Sequence, residues 1–203
     1  MLWRVRTASL GIGLCLAMAG VAATAWAAPS NLIKNGGFEK PVVGAGSFQL
    51  FATGSSFSHW KVVGAAGNVG VVSGTFSQNG FTFPGKAGAQ WLDLTGTTQT
   101  ATGVAQTVAT EPHTPYTISF AVGNVVDPGG IFGTTSTVDV LVDGSLVLTA
   151  TNRKGVGSTS AVWKTFSVDF TAAGAQTTIA FMNGDPATDT NNGLDAVRVT
   201  SAS

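Results

Sequence analysis

The chain has 203 residues, with ten Lys/Arg against ten Asp/Glu and only 10% charged residues. That leaves no basic patch to neutralise phosphates and argues against a nucleic-acid partner. Glycine is abundant, and β-branched and aromatic residues are separated by Gly, Asn and Ser turns, which predicts an all-β protein.

The N-terminus carries Arg4 and Arg6, then an uncharged apolar stretch from Ala8 to Ala23, then Ala25-Trp26-Ala27. This order predicts a Sec-type signal peptide over residues 1–27, cleaved after Ala27. The apolar run is short for a span of about 20 residues, and no later stretch is long enough, so no membrane span is expected after cleavage. The expected product is secreted, extracellular or periplasmic, with one domain over 28–203. Cys15 is the only cysteine, so that product has no disulfide and no thiolate ligand or nucleophile. Export without disulfides suits a bacterial protein, whose stability must come from its core and, as an expectation, from a bound ion. Without Arg4 and Arg6 the chain carries eight Lys/Arg against ten acids, a net charge of −2.

In chain order, Asn31–Glu39 reads as the first strand, with Gly36-Gly37 marking a bulge or a close backbone approach. Residues 48–51 read as a short edge segment, 57–63 as a strand, and 69–72 as another. A long Gly/Ser/Phe loop over 73–88 contains Phe76, Phe81 and Phe83. Gln90-Trp91-Leu92-Asp93-Leu94 alternates, with Trp91 and Asp93 on one face and Leu92 and Leu94 inward. Strands follow at 104–109 and 115–122; the latter alternates Tyr116, Ile118, Phe120 and Val122 against polar or small residues. Val138, Val140 and Val142 lead through an Asp143-Gly144 hairpin turn into 146–150. Trp163–Phe170, Thr177–Met182 and Gly193–Thr200 complete ten to twelve strands. Their spacing predicts a single β-sandwich, best described as an eight-stranded jelly roll with added short strands.

Five segments in order resemble the galactose-binding-like jelly rolls. They are Asn31–Glu39 (NLIKNGGFE), Gln90–Gly96 (QWLDLTG), Gly103–Thr107 (GVAQT), Tyr116–Phe120 (YTISF) and Leu194–Val197 (LDAV). Trp60 falls at a Gly-Trp position of that pattern, with His59 in place of the glycine. The set is similar to the bacterial choice-of-anchor C family and to plant cell-wall proteins with paired galactose-binding-like domains. The resemblance implies a secreted jelly roll of the carbohydrate-binding type. It also implies a structural Ca²⁺ between first and last strands, with Glu39 and Asp195 as carboxylate ligands and Gly37 as a carbonyl donor. Ca²⁺ takes 6–8 such oxygens, and the ion would staple the two ends together. Asp185 and Asp189 lie in a loop that reads as a polar turn.

A pyranose packs its C–H face on a flat ring, so Trp60, Trp91, Trp163 and Tyr116 are candidate platforms. The alternation favours core packing for Trp163 and Tyr116. Trp91 with Asp93, and Trp60, are therefore the ligand-binding candidates. His59 and His113 sit in no catalytic or metal-binding pattern, and no GxSxG, P-loop or HExxH sequence occurs, so no catalytic residue is assigned. The expected function is non-catalytic binding of extracellular or cell-wall polysaccharide. The alternatives are a structural or adhesion protein of the envelope or biofilm matrix, and a small glycoside-active enzyme.

Overall fold

The computed structural model describes residues 30–127 and 131–202; the predicted signal peptide, 1–27, lies outside them. In chain order the strands are β1 (Phe48–Ala52), β2 (Ser56–Phe57), β3 (Trp60–Gly64), β4 (Asn68–Ser73), β5 (Ser77–Gln78), β6 (Phe81–Thr82) and β7 (Gln90–Asp93). β8 (Thr102–Ala109), β9 (Pro115–Asn124), β10 (Ser136–Val142), β11 (Ser145–Asn152), β12 (Val162–Thr171), β13 (Gln176–Asn183) and β14 (Gly193–Ser201) follow. Two six-stranded sheets face each other. The first has the order β1-β4-β7-β14-β9-β12 and the second β11-β10-β13-β8-β3-β2; β5 and β6 form a small separate hairpin. The ladders are antiparallel throughout. No helix occurs among the described residues. This is the all-β sandwich that composition and spacing predict.

Period-two alternation decides which side chains meet between the sheets. Ile118, Phe120 and Val122 of β9, Leu92 of β7 and Phe181 of β13 point into the main core and are essentially fully buried. Tyr116 joins them at 5% exposure, and its hydroxyl accepts the Glu111 N–H at 2.9 Å, which satisfies its polar tip. The first sheet is apolar on its other face as well. Val72, Phe83, Trp91, Val125 and Phe132 form a second cluster there, with Trp163 packed against it.

Three sequence expectations change. Residues 31–39 are not a regular strand. Asn35 and Phe38 have positive φ, so the segment turns repeatedly instead of extending. It still runs beside β14: Leu32 N–H donates to the Val199 carbonyl and Val197 N–H to the Gly36 carbonyl, each at 2.8 Å. Gly36 is required there, because a Cβ would strike the Val197 carbonyl, as the close-approach reading anticipated. Second, 57–63 is not one strand. β2 and β3 are joined by a two-residue turn, Ser58-His59, with φ of 37° and 81°. Third, the 73–88 loop contains the β5–β6 hairpin around Asn79-Gly80. The Asp143-Gly144 turn, the edge position of β1 and the exit strand stand as expected.

Candidate functional site

The chain's two ends meet around the loop 85–90. β14 shares its edge between two partners. β7 pairs with Gly193 and Leu194, and the segment beginning at Asn31 bonds to Val197 and Val199. Asp195 lies in the gap, where β14 shifts register against β9 between Asp195 and Arg198 and Ala196 takes φ 54°. Such a bulge re-aims a side chain. Asp195 is fully buried, and its Oδ2 accepts N–H groups from Lys86 at 2.7 Å and Ala87 at 3.0 Å. Its Oδ1 takes the Ala196 N–H at 2.6 Å. Glu39 Oε1 accepts from Ala89 at 2.9 Å and Gln90 at 3.1 Å. Gly88 between them has φ +79°, and a Cβ there would collide with the Glu39 carboxylate.

Gly37 lies beside both acids: a Cβ on it would sit 3.8 Å from Asp195 Oδ1 and 3.9 Å from the Ala87 carbonyl and from Glu39 Cγ. Glu39, Gly37 and Asp195 are thus brought together. Burial pushes the Asp195 carboxyl up to about 6 despite its N–H donors, and the Glu39 charge adds to that rise. Among the described residues no group of three or more His, Cys, Asp or Glu side chains is arranged to hold a metal. The oxygens nearest the space at Gly37 are Asp195 Oδ1 and the Ala87 carbonyl, with the Glu39 side chain alongside through its Cγ; carboxylate and carbonyl oxygens are hard ligands.

The three ligand-binding candidates separate. Trp60 is core: it is fully buried, its ring lies 5.4 Å from that of Phe38, and its Nε1 donates to the Asn35 carbonyl at 3.0 Å. It anchors the N-terminal segment, and no sugar can reach it; the platform expectation is corrected there. Trp91 and Asp93 do share a face, the outer face of the first sheet, and both line a cleft of about 430 Å³. Trp91 is only 3% exposed, so it is the floor of the cleft and not a free-standing platform. Its Nε1 donates to the Phe83 carbonyl at 2.9 Å, and the two rings stack at 6.1 Å.

The loop from Phe76 to Phe83 folds back over this floor as one wall, with Phe132 edge-on to Phe83 at 5.2 Å. Phe48 and Leu50 of β1 and Ile131 stand on the rim, 40–45% exposed. Trp163 closes the neighbouring surface; its Nε1 bonds the Pro84 carbonyl at 2.9 Å, and its ring covers Gly123 and Gly193. The reading of 73–88 as a loop and of 48–51 as a bare edge segment missed these walls; the Asn79-Gly80 pair and the alternation of Phe48 with Leu50 are the sequence features that point to them.

Asp93 supplies the cleft's polar end. Its Oδ1 accepts the Thr95 hydroxyl at 2.7 Å, the Thr95 N–H at 3.0 Å and, more distantly, the Asn192 N–H at 3.4 Å. These three bonds all fall on Oδ1, and the Gly96 N–H is a further backbone donor to the carboxylate. Burial raises this carboxyl to about 6. Behind it, Asp185 is pushed to about 7, first by burial and then by the charges of Asp189 and Asp93. Asp185 Oδ2 and Asn192 Oδ1 are buried without a partner among the described residues. A second groove of about 460 Å³, lined by Lys34, His59 and Gln106 among others, contains no Phe, Tyr or Trp ring.

A family model described as a protein of unknown function, DUF642, matches residues 31–200, the span from the Asn31 segment to the end of β14. The chain belongs to the DUF642 family. The choice-of-anchor C relation is finer than this DUF642 match. No curated protein matches. Among solved structures, this DUF642 chain is similar to a family 35 carbohydrate-binding module from Clostridium thermocellum, with 12% identity and a TM-score of 0.48, over 76% of this chain and 99% of that one. It is similar to the CBM22-1 xylan-binding domain of Paenibacillus barcinonensis Xyn10C, with 16% identity and a TM-score of 0.47, over 88% and 100%. It is also similar to the EclA C-terminal domain, a sugar-binding protein, with 15% identity and a TM-score of 0.38, over 47% of this chain and 64% of that one. Similarity at this level assigns no ligand to the DUF642 chain.

Proposed function

We propose that the protein is a secreted, non-catalytic carbohydrate-binding module, and that the cleft over Trp91 and Asp93 is its glycan site. The observation that carries this reading is the cleft itself: aromatic and aliphatic walls with a carboxylate, amides and hydroxyls at one end. Ligand sites are mainly apolar with a few convergent polar groups that fix orientation. C–H faces of a sugar pack on the rings, and its hydroxyls donate to Asp93. Glycoside hydrolysis works with two carboxylates across one cleft; the lining supplies Asp93. Export through the signal peptide at 1–27, outside the cell or in the periplasm, belongs to this reading, as does the kinship to the choice-of-anchor C family. A glycan array followed by polysaccharide pull-down tests it, and silence across plant, bacterial and algal glycans sinks it. The exposed rim of Phe48, Leu50 and Ile131 favours a second reading, adhesion to a protein of the envelope or matrix.

Calcium is part of the proposal as a staple between the chain's ends. Glu39 and Asp195 would hold the ion, with carbonyls around Gly37 and Ala87, and the ion would neutralise two adjacent carboxylates. The expected outcome is a lower melting temperature in EDTA that added Ca²⁺ restores and that Glu39→Ala abolishes. Unchanged melting in all three conditions overturns the ion.

A further inference from the structure

The cleft carries one sign of charge. Among the described residues that line it, Asp93 alone is ionisable; the others are aromatic, aliphatic, Gly, Thr, Gln or Asn. The ground behind Asp93 has the same sign, because the charges acting on Asp185 are those of Asp189 and Asp93. Asp93 Oδ1 is already held by Thr95 and Asn192. None of those bonds falls on Oδ2, so even with the Gly96 N–H as a further donor the carboxylate keeps acceptor capacity for a ligand's donor, and an ionised carboxylate is the strong kind of acceptor. An O–H group satisfies it. A second carboxylate or a sulfate cannot, since it brings no donor and adds a like charge against walls that exclude water. Gln78, Thr97 and Gln99 on the same lining have no charge with which to offset the repulsion.

We infer that the cleft selects uncharged glycans and rejects uronates and sulfated sugars, with Asp93 as the discriminating residue. This rests on the glycan reading. Two charges a few ångströms apart near a protein surface repel strongly, and physiological salt screens only part of it. The neutral member of a matched pair should therefore bind at least about tenfold more tightly than the acidic one.

The experiment uses matched pairs on one array and in solution: hexagalacturonate with its methyl ester, glucosamine hexamer with chitohexaose, and neutral xylohexaose and cellohexaose with sulfated counterparts. Wild-type protein should bind the neutral member of each neutral–acidic pair at least about tenfold more tightly. Asp93→Asn keeps the shape and the Thr95 contacts, and it should bring the neutral-to-acid ratio to within about twofold. Gln78→Lys, a change on the exposed β5 turn, should raise affinity for the acidic member, and it carries the test if Asp93→Asn does not fold. Equal wild-type affinity for acidic and neutral members overturns the inference and leaves the glycan reading standing. So does a ratio unmoved in both variants. Preference for the glucosamine hexamer over chitohexaose replaces an uncharged ligand with a cationic one and also overturns it. Silence on the whole array removes the glycan reading, and the inference falls with it.

Discussion

Asp195 on β14 and Asp93 on β7 sit on neighbouring strands of one sheet, and burial raises both carboxyls to about 6. Their surroundings differ in one respect that separates their roles. Asp195 is closed in by three backbone N–H groups from the 86–87 peptides and its own bulge. Asp93 takes its Thr95 and Asn192 bonds on one oxygen and lines an aromatic cleft. A carboxylate with backbone donors on both oxygens fixes the chain; one whose bonds gather on a single oxygen beside flat rings keeps capacity to accept from a ligand. Two acids with similarly raised carboxyls thus separate into one paired with Glu39 and one that lines the proposed glycan cleft beside Trp91.

The largest expected effect tests the structural half. Asp195→Ala removes a buried carboxylate that accepts three part-buried N–H groups, and it frees the N-terminal segment and the 85–90 loop together. Leaving buried polar groups unpaired is expensive, and the loss should be about 3–5 kcal/mol by urea unfolding. Glu39→Ala, at a part-exposed position with two N–H partners, should cost about 1–2 kcal/mol. If Asp195→Ala instead costs less than Glu39→Ala, the ends are not held as described. A loss of glycan binding in the folded Asp195→Ala protein would show that the two regions are not separate.

Much of this division was legible in the sequence because period-two alternation carries it. Trp91 and Asp93 against Leu92 and Leu94 put two residues on each face, and the structure keeps that partition. What alternation could not convey was that the outer face is also covered. Trp91 therefore reads as exposed from its Asp93 neighbour, yet Phe83 and Phe132 bury it. Glu39 and Asp195 were found as a pair through strand order and resemblance. The groups that hold them are backbone N–H donors of residues 86, 87, 89 and 90, which side-chain identity does not report. Trp60 was misplaced because a tryptophan beside a turn looks the same whether its ring faces in or out; the close approach of Phe38 and the Asn35 carbonyl decide it.

The second effect concerns pH and sharpens the recognition half. Asp93 and Asp185 have folded values of about 6 and 7, raised from 3.8. The folded protein therefore holds these protons more tightly than the unfolded chain. Their contribution to stability is full below the unfolded value and is lost as pH rises through 6 to 7. Melting temperature should fall between pH 5 and pH 8, by an amount worth about 1–3 kcal/mol after solvent screening. Asp93→Asn and Asp185→Asn should each flatten part of that slope. A profile that rises over this range, or one that both variants leave unchanged, would falsify the desolvated state of the cleft's polar end.

The smallest effect lies outside both regions and tests whether they are independent of the rest of the sandwich. Three two-residue hairpins have positive φ at both positions: Ser58-His59, Asn79-Gly80 and Asp143-Gly144. The last two use the residues that such turns favour, while the first places a serine and an imidazole in left-handed backbone. His59 also stands where the resembling sequences have glycine. Converting the pair to Asn-Gly removes most of that strain, offset by the larger entropy of glycine in the unfolded chain. The net gain should be about 1 kcal/mol by urea unfolding, with glycan affinity and its preference for neutral sugars unchanged. The turn adjoins Trp60, which grips the Asn35 carbonyl, so any benefit reaches the Glu39–Asp195 region by way of the core. Altered binding in this variant would mean that the β2–β3 turn communicates with the cleft across the sandwich, and the separation between a stabilising end and a recognising face would have to be redrawn.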